Sequence, residues 1–268
     1  MRETRTPRLA ATDLDGTLLR SDGTASARSV AALGAAQEAG LAVVLVTGRP
    51  PRMVAPLARD LGARGLAICL NGALVLDLDS GEIVEHEQCS AEVVEALVTR
   101  LRALDREIRF AFERGTHFSC EPEYLALAPR ANRTGLVVDD LDTLLDQPAS
   151  KIIARHATLA HATLMELIQS QANGAVTVTA STNTIVEIAA AGVHKGRALE
   201  RLCGRRGVAQ ETVVAFGDMP NDATMLEWAG HGVAVANAHP DVLAIADSVT
   251  LSNDEDGVAV VLERLLAG

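Results

Sequence analysis

Two carboxylates stand one residue apart at the end of a short apolar run near the start of the chain. The run Leu9–Ala11 leads to Asp13 and Asp15, and Gly16 follows at once. In an open parallel sheet, ligands gather outside the carboxyl ends of the strands, so an acid pair at such an end faces a ligand. One carboxylate can act as a nucleophile that forms an aspartyl-phosphate, and the other can give and take a proton. Asp13 and Asp15 suit these two tasks, although an Asp-x-Asp-Gly turn can also do no more than satisfy backbone donors.

Two further segments offer groups that bind an anion. Thr47 and Gly48 follow the apolar run Val43–Val46, where a strand ends and a helix begins, and both can donate hydrogen bonds to a phosphate. Lys195 stands at the start of a predicted helix, where its charge opposes the positive end of the helix dipole. A negatively charged ligand explains such a lysine better than helix stability does. The alternatives are a plain helix cap at Thr47 and an exposed lysine at position 195.

A second acidic pair follows the apolar run that ends at Phe216. Asp218 follows this predicted strand, and Asn221 and Asp222 lie at the start of the helix predicted from Pro220 to Trp228. Carboxylates at this place can hold a metal ion, and Asn221 can contact a phosphate. Capping of the helix N-terminus would also explain acidic residues before and after a proline.

In order and spacing, these segments resemble the four motifs of the haloacid dehalogenase (HAD) superfamily of phosphotransferases. The long interval between the second and third motifs resembles the Cof-like branch, in which a cap is inserted there. The resemblance implies an α/β fold with a Rossmann-like parallel-sheet core, formed by residues 1–82 and 190–268, and an inserted α+β cap domain at 83–189. The motif residues are Asp13, Asp15 and Thr17, then Thr47, then Lys195, and finally Asp218 and Asp222.

The same resemblance implies a mechanism. Asp13 would attack phosphorus, while Asp15 would protonate the leaving oxygen and then activate the water that hydrolyses the aspartyl-phosphate. Mg²⁺, which prefers oxygen ligands, would be held by the carboxylates of Asp13 and Asp218 and by the backbone carbonyl of Asp15. Asp222 would orient a metal-bound water or Lys195. The groups expected to contact the substrate phosphate are Thr47, Gly48, Lys195 and Asn221.

Composition limits the class of protein. The chain has 268 residues, 48% of them hydrophobic, which is enough for two domains. A formal charge of -11 and an aromatic content of 2% argue against nucleic-acid and membrane partners. Four scattered cysteines indicate neither a zinc site nor a disulfide framework. Because the sequence shows neither a membrane-spanning run nor a signal-peptide core, we predict a cytoplasmic protein.

Strands and helices alternate up to residue 82 and again after Lys195, whereas the segment between Glu121 and Gln147 has no readable pattern. Arg49 follows Thr47 and could face the site, but an arginine there often pairs with a neighbouring acid, so no role is assigned to it. In the predicted cap, the sequence does not identify which residues select the substrate; Arg114, His117, Arg130 and Arg133 are unassigned candidates.

These observations favour a Mg²⁺-dependent phosphatase that acts on a small phosphomonoester, such as a sugar phosphate or a phosphorylated cofactor. Two alternatives remain open. A phosphomutase of the phosphomannomutase type would share the core residues, and a non-catalytic sensor would use the pocket only to bind a phosphorylated ligand. The presence of Asp13, Asp15 and Lys195 disfavours the sensor. The sequence predicts neither the natural substrate nor the oligomeric state.

Overall fold

A computed structural model describes residues 6–128 and 134–267, so Arg130 and Arg133 lie outside the described residues. The described residues form fourteen strands and ten α-helices. The strands are β1 (Leu9–Thr12), β2 (Ala42–Val46), β3 (Leu66–Cys69), β4 (Leu74–Asp77), β5 (Ile83–His86), β6 (Arg109–Arg114), β7 (His117–Cys120), β8 (Leu136–Val138), β9 (Lys151–Arg155), β10 (Val176–Thr179), β11 (Val186–Ala190), β12 (Val213–Gly217), β13 (His231–Ala234) and β14 (Ser248–Val249). The helices are α1 (Ala27–Glu38), α2 (Pro51–Asp60), α3 (Ala91–Leu104), α4 (Tyr124–Leu127), α5 (Leu141–Leu145), α6 (His161–Gln171), α7 (Lys195–Arg206), α8 (Ala223–Trp228), α9 (Pro240–Ile245) and α10 (Gly257–Ala267).

The chain divides into two compact units. The first comprises the described residues up to Arg49 together with Met53–Val84 and the described residues from His194 onward. The second comprises Pro50–Arg52 and Glu85–Val193. These divisions fall after residues 84 and 193, whereas the sequence predicts them after residues 82 and 189. In the described part of the chain, no helix is both long enough and apolar enough to cross a bilayer.

The strands of the first unit form a sheet in the order β14-β13-β12-β1-β2-β3-β4, and β5, within which the division after residue 84 falls, is its eighth strand. The strands from β14 to β3 are parallel, and β4 pairs antiparallel to β3. The central strands are contiguous apolar runs, as expected for strands that are buried on both faces. All four residues of β1 and all five of β12 are buried. The predicted α/β class with a parallel-sheet core is confirmed.

The helices of the first unit begin and end at recognisable signals. Ser26 caps α1, because its Oγ accepts a hydrogen bond of 2.9 Å from Ser29 N. Gly207 closes α7 in the left-handed conformation with a φ of 63°. Helix α1 packs against α10, and α7 packs against α8. The α7–α8 pair matters for function because Lys195 is the first residue of α7.

The second unit contains a six-stranded sheet in the order β10-β11-β9-β6-β7-β8. Its pairs are antiparallel except for β7 and β8, which are parallel. Helices α3, α5 and α6 cover one face through a buried apolar cluster that includes Phe110 and Phe112. Phe118 and Tyr124 belong to a second, smaller cluster. Four of the six aromatic residues of the chain therefore lie in this unit, while Phe216 and Trp228 lie in the first.

Several short elements are absent from the sequence-based prediction. Strand β14 has two residues and α9 has six, so neither shows a hydrophobic period that a sequence can reveal. The segment without a readable pattern contains α4, β8 and α5, which have between three and five residues each. Two residues separate β6 from β7, and the two strands pair antiparallel as a hairpin.

Close contact between α7 and α8 requires glycine at position 196. A Cβ atom built on Gly196 would lie 2.3 Å from the backbone oxygen of Thr224. Gly204, in the same helix, is exposed and would have no atom within 4 Å of an added Cβ. The two glycines therefore form a matched pair, one in a tight helix contact and one in open space.

We expect Gly196→Ala to lower the free energy of unfolding by about 1–3 kcal/mol, because the added methyl group forces the two helices apart. Gly204→Ala should raise it by about 0.5–1 kcal/mol, because alanine loses less conformational entropy in a helix than glycine does. Chemical denaturation of both variants beside the wild type measures the difference. Equal effects of the two substitutions would contradict the close contact.

Candidate active site

Three of the predicted functional residues lie at three neighbouring strand ends of the first unit. Asp13 follows β1, Thr47 follows β2, and Asp218 follows β12. Because β1 lies between β2 and β12 and pairs parallel to both, the carboxyl ends of these strands meet at one edge of the sheet. Asp13 is fixed there by its backbone, since Asp13 N donates a 3.0 Å hydrogen bond to Phe216 O. This edge is where open α/β sheets bind ligands.

Lys195 connects two of the aspartates across the site. Its Nζ lies 2.6 Å from Asp13 Oδ1 and 2.6 Å from Asp222 Oδ1. The lysine side chain is 1% exposed, so the ammonium has exchanged water for these carboxylates. A cation at the N-terminus of a helix opposes the helix dipole, and the two anions offset that cost. The alternative of an exposed lysine is therefore wrong.

Asp222 uses both of its oxygens within the protein. Oδ1 accepts the hydrogen bond from Lys195, and Oδ2 accepts hydrogen bonds from Asp218 N at 3.1 Å and Met219 N at 3.0 Å. The carboxylate thus fixes the turn that follows β12 and orients the lysine at the same time. The two hydrogen bonds from backbone N–H groups are the capping contacts that the alternative interpretation predicts. The Asp222 side chain therefore caps the backbone and also orients Lys195.

Asp218 is held against the loop that follows β1. Its Oδ1 accepts a 2.7 Å hydrogen bond from Thr17 Oγ1. Gly16 has a φ of 79°, and a Cβ atom there would lie 2.4 Å from Asp218 Oδ2. Only glycine therefore permits both this backbone conformation and the approach of the carboxylate.

The crowding of charges in this buried cluster shifts its acid-base equilibria. Burial raises the pKa of Asp13 well above its ordinary value; the charge of Lys195 opposes this shift, and the charges of Asp222 and Asp218 add to it. Burial raises the pKa of Asp218 to about 6, and the charge of Asp222 contributes. Burial alone would lower the pKa of Lys195, but the charges of Asp13 and Asp222 raise it above its ordinary value. The site thus favours additional positive charge near its carboxylates.

The cluster fits a hard divalent cation. One carboxylate oxygen from each of Asp13, Asp218 and Asp222 lies within 4.8 Å of the other two. Carboxylate oxygens are the ligands that Mg²⁺ prefers, and Mg²⁺ usually takes one or two carboxylates and keeps several waters. Because Asp222 already accepts three hydrogen bonds, Asp13 and Asp218 are the members of this cluster best suited to bind such an ion.

Asp15 differs from this cluster in exposure and in its partner. Its side chain is 57% exposed, whereas that of Asp13 is 8% exposed. Arg49 donates two hydrogen bonds to it, from Nε to Oδ2 at 2.7 Å and from Nη2 to Oδ1 at 2.5 Å. The hydrogen bond to Asp15 raises the pKa of Arg49, which burial opposes, and the charges of Asp15 and Asp13 add to the rise. The sequence alone does not predict this contact of Arg49, because it does not reveal which acidic residue an arginine contacts.

The predicted phosphate ligands differ in their surroundings. Thr47 is fully buried, and its Oγ1 accepts a 3.1 Å hydrogen bond from Arg49 N. Gly48 is half-buried at the end of β2. Asn221 Nδ2 donates a 3.1 Å hydrogen bond to Asn71 Oδ1, so Asn71, which follows β3, lies beside Asn221. Asn71 has a φ of 58°, which is uncommon for a residue other than glycine.

Comparison with known proteins identifies relatives along nearly the whole chain. The family model described as haloacid dehalogenase-like hydrolase matches residues 10–262. The 5-amino-6-(5-phospho-D-ribitylamino)uracil phosphatase YitU of Bacillus subtilis (strain 168) is 30% identical over 263 residues, covering 96% of this chain and 97% of that protein. The pyridoxal phosphate phosphatase YbhA of Escherichia coli (strain K12) is 31% identical over 264 residues, covering 95% and 97%. A solved haloacid dehalogenase-like hydrolase from B. subtilis superposes with a TM-score of 0.84 at 28% identity, covering 96% of this chain and 99% of that one.

The raised pKa of Asp218 predicts a specific dependence of stability on pH and metal. Its folded value of about 6 exceeds the ordinary 3.8, so the folded state binds more protons in that interval. Without a divalent cation, the free energy of unfolding of the wild type should therefore fall relative to that of Asp218→Asn as pH rises from about 4 through 6. The difference is at most about 3 kcal/mol. Added Mg²⁺ at neutral pH should stabilise the wild type and have little effect on the variant.

Thermal denaturation over a pH series, with and without Mg²⁺, measures both effects. Asn at position 218 keeps an oxygen for Thr17, so the variant isolates the charge. Asp60→Asn is the control, because Asp60 is an exposed carboxylate at the end of α2. Parallel curves for the wild type and the Asp218 variant would contradict the interpretation.

Proposed function

Because the chain belongs to the haloacid dehalogenase-like hydrolase family, and its curated relatives above are phosphatases, we propose that it hydrolyses a small phosphomonoester through an aspartyl-phosphate on Asp13. The observation that carries this proposal is the buried ion cluster in which Lys195 lies 2.6 Å from both Asp13 and Asp222. Such a cluster at the carboxyl edge of a parallel sheet can hold a nucleophile and compensate charge at the same point.

In the first step, a lone pair of Asp13 attacks phosphorus, and the bond between phosphorus and the ester oxygen breaks. Lys195 contacts only Oδ1 of Asp13, so Oδ2 is the oxygen that we assign to the attack. The lysine charge also stabilises the negative charge on the phosphoryl oxygens. We assign further hydrogen bonds to the phosphate from Thr47, Gly48 and Asn221. Asp15 gives its proton to the leaving oxygen, which departs as an alcohol.

In the second step, Asp15 as a carboxylate takes a proton from water, and the water oxygen attacks phosphorus. The bond between Asp13 and phosphorus then breaks, which releases inorganic phosphate and restores the carboxylate. The exposure of Asp15 supports this assignment, because its side chain reaches water while Asp13 is buried.

The carboxylates of Asp13 and Asp218 and the backbone carbonyl of Asp15 would hold Mg²⁺. When bound, the ion supplies positive charge that stabilises the transferring phosphoryl group. Asp222 would position this assembly indirectly, through the lysine and through the backbone of Asp218.

The substrate class follows from the relatives and not from the site. YitU acts on a phosphorylated ribitylamino-uracil and YbhA on pyridoxal phosphate, according to their names. We therefore propose a sugar phosphate or a phosphorylated cofactor as the substrate of this chain. We assign catalysis to the first unit, near the predicted residues 1–82 and 190–268, and the selection of the substrate to the second, the predicted cap at 83–189.

The test is phosphate release from a panel of phosphomonoesters that includes pyridoxal 5′-phosphate and hexose phosphates, with Mg²⁺ and with EDTA. We expect release by the wild type and a loss of at least about a thousandfold in Asp13→Asn, which removes the nucleophile but keeps the shape. EDTA should abolish release as well. Asp60→Asn should match the wild type, since Asp60 is exposed at the far end of α2.

Other outcomes separate the alternatives. Transfer of phosphate to a second sugar hydroxyl, detected by product analysis with a hexose phosphate, would indicate a phosphomutase. Binding of phosphorylated ligands without any turnover would indicate a sensor. Full activity of Asp13→Asn would contradict the aspartyl-phosphate mechanism.

A further inference from the structure

The guanidinium of Arg49 makes a two-pronged (bidentate) contact with the carboxylate of Asp15. Nε and Nη2 of the guanidinium each donate to a different oxygen, at 2.7 and 2.5 Å. This bidentate geometry fixes both the position and the plane of a carboxylate, which a single hydrogen bond or a lysine ammonium does not do.

The arginine is itself anchored at the site. Arg49 N donates to Thr47 Oγ1 at 3.1 Å, and Leu70 N donates to Arg49 O at 3.1 Å. The first contact ties the arginine to the end of β2, and the second ties it to the segment that follows β3. The guanidinium therefore extends from a backbone position that two strand ends determine.

Stability does not explain this ion pair. The Asp15 side chain is 57% exposed and that of Arg49 is 23% exposed, and exposed pairs contribute between nothing and about 1 kcal/mol. An exposed aspartate also samples several side-chain rotamers in water unless a neighbour restrains it. The contact restrains the one carboxylate of the site that is not buried.

We infer that Arg49 is the positioning residue for Asp15, and that its two-pronged contact aligns the Asp15 carboxyl with the ester oxygen and then with the attacking water. This inference rests on the proposed function, because it presumes that Asp15 transfers these protons. Arg49 itself gains and loses no proton in either step. Its effect should therefore depend on how strongly the leaving group needs protonation.

The test compares two substrates, glycerol 2-phosphate and p-nitrophenyl phosphate. An alkyl alcohol leaves poorly without a proton, whereas p-nitrophenol leaves readily as its anion. We expect Arg49→Met to lower kcat/KM about 30- to 100-fold for the alkyl ester and less than about 5-fold for the aryl ester. The kcat/KM of Arg49→Lys for the alkyl ester should lie between those of the wild type and Arg49→Met, because a lysine supplies the positive charge but not the bidentate contact.

A double-mutant cycle decides whether Arg49 acts through Asp15. Asp15→Asn should show the same selective loss for the alkyl ester, and adding Arg49→Met to it should cost less than about a further 3-fold. Arg28→Met is the matched control, because Arg28 makes a similar two-pronged contact with Glu263 on the surface, at 2.8 and 2.6 Å. This control should leave the ratio between the two substrates unchanged.

Two results would overturn the inference. One is an equal loss of kcat/KM for both substrates in Arg49→Met. The other is a loss in the double variant equal to the product of the two single losses, since Arg49 would then act independently of Asp15. Failure of the proposed function gives a different result: the wild type releases no phosphate from either ester, or Asp13→Asn remains active. Melting temperatures of the Arg49, Asp15 and Arg28 variants, expected within a few degrees of the wild type, verify that each of these proteins folds.

Discussion

The buried ammonium of Lys195 is the interaction on which the arrangement of the site depends. It joins Asp13, at the end of β1, to Asp222, which lies 27 residues after the lysine in sequence. Burying a charge is costly unless it is paired, and removal of one partner of a buried pair typically costs about 3–5 kcal/mol. The charge is therefore paired only when three separate segments meet: the end of β1, the start of α7 and the turn that follows β12.

The four carboxylates near this edge of the sheet lie in different environments. Asp222 is surrounded by protein donors and has the character of a structural group. Asp13 and Asp218 are buried and have raised pKa values, and a bound cation would stabilise their charged forms. Asp15 lies outside this group, more than half exposed and restrained by Arg49. Different exposure of chemically identical groups is a common way in which proteins separate nucleophile, metal ligand and acid-base roles.

The sequence predicts most of the sheet and part of the site, for identifiable reasons. Strands such as β1 and β12 are contiguous apolar runs, and the charge of Lys195 at a helix start is unfavourable unless an anion is near. The sequence does not predict the contact of Arg49 with Asp15, since this contact depends on side-chain geometry between two loops. Nor does it predict short elements such as β14, because two residues define no period.

The uneven distribution of aromatic residues gives the molecule two separate optical reporters. Trp228, at the end of α8, is the one tryptophan of the sequence and belongs to the first unit. Tyr124, the one tyrosine, is buried in the second unit. Indole emission therefore follows the state of the unit that carries the charge cluster, while phenol absorbance follows the other. Without any added label, the two signals distinguish a chain whose units unfold together from one whose units unfold in turn.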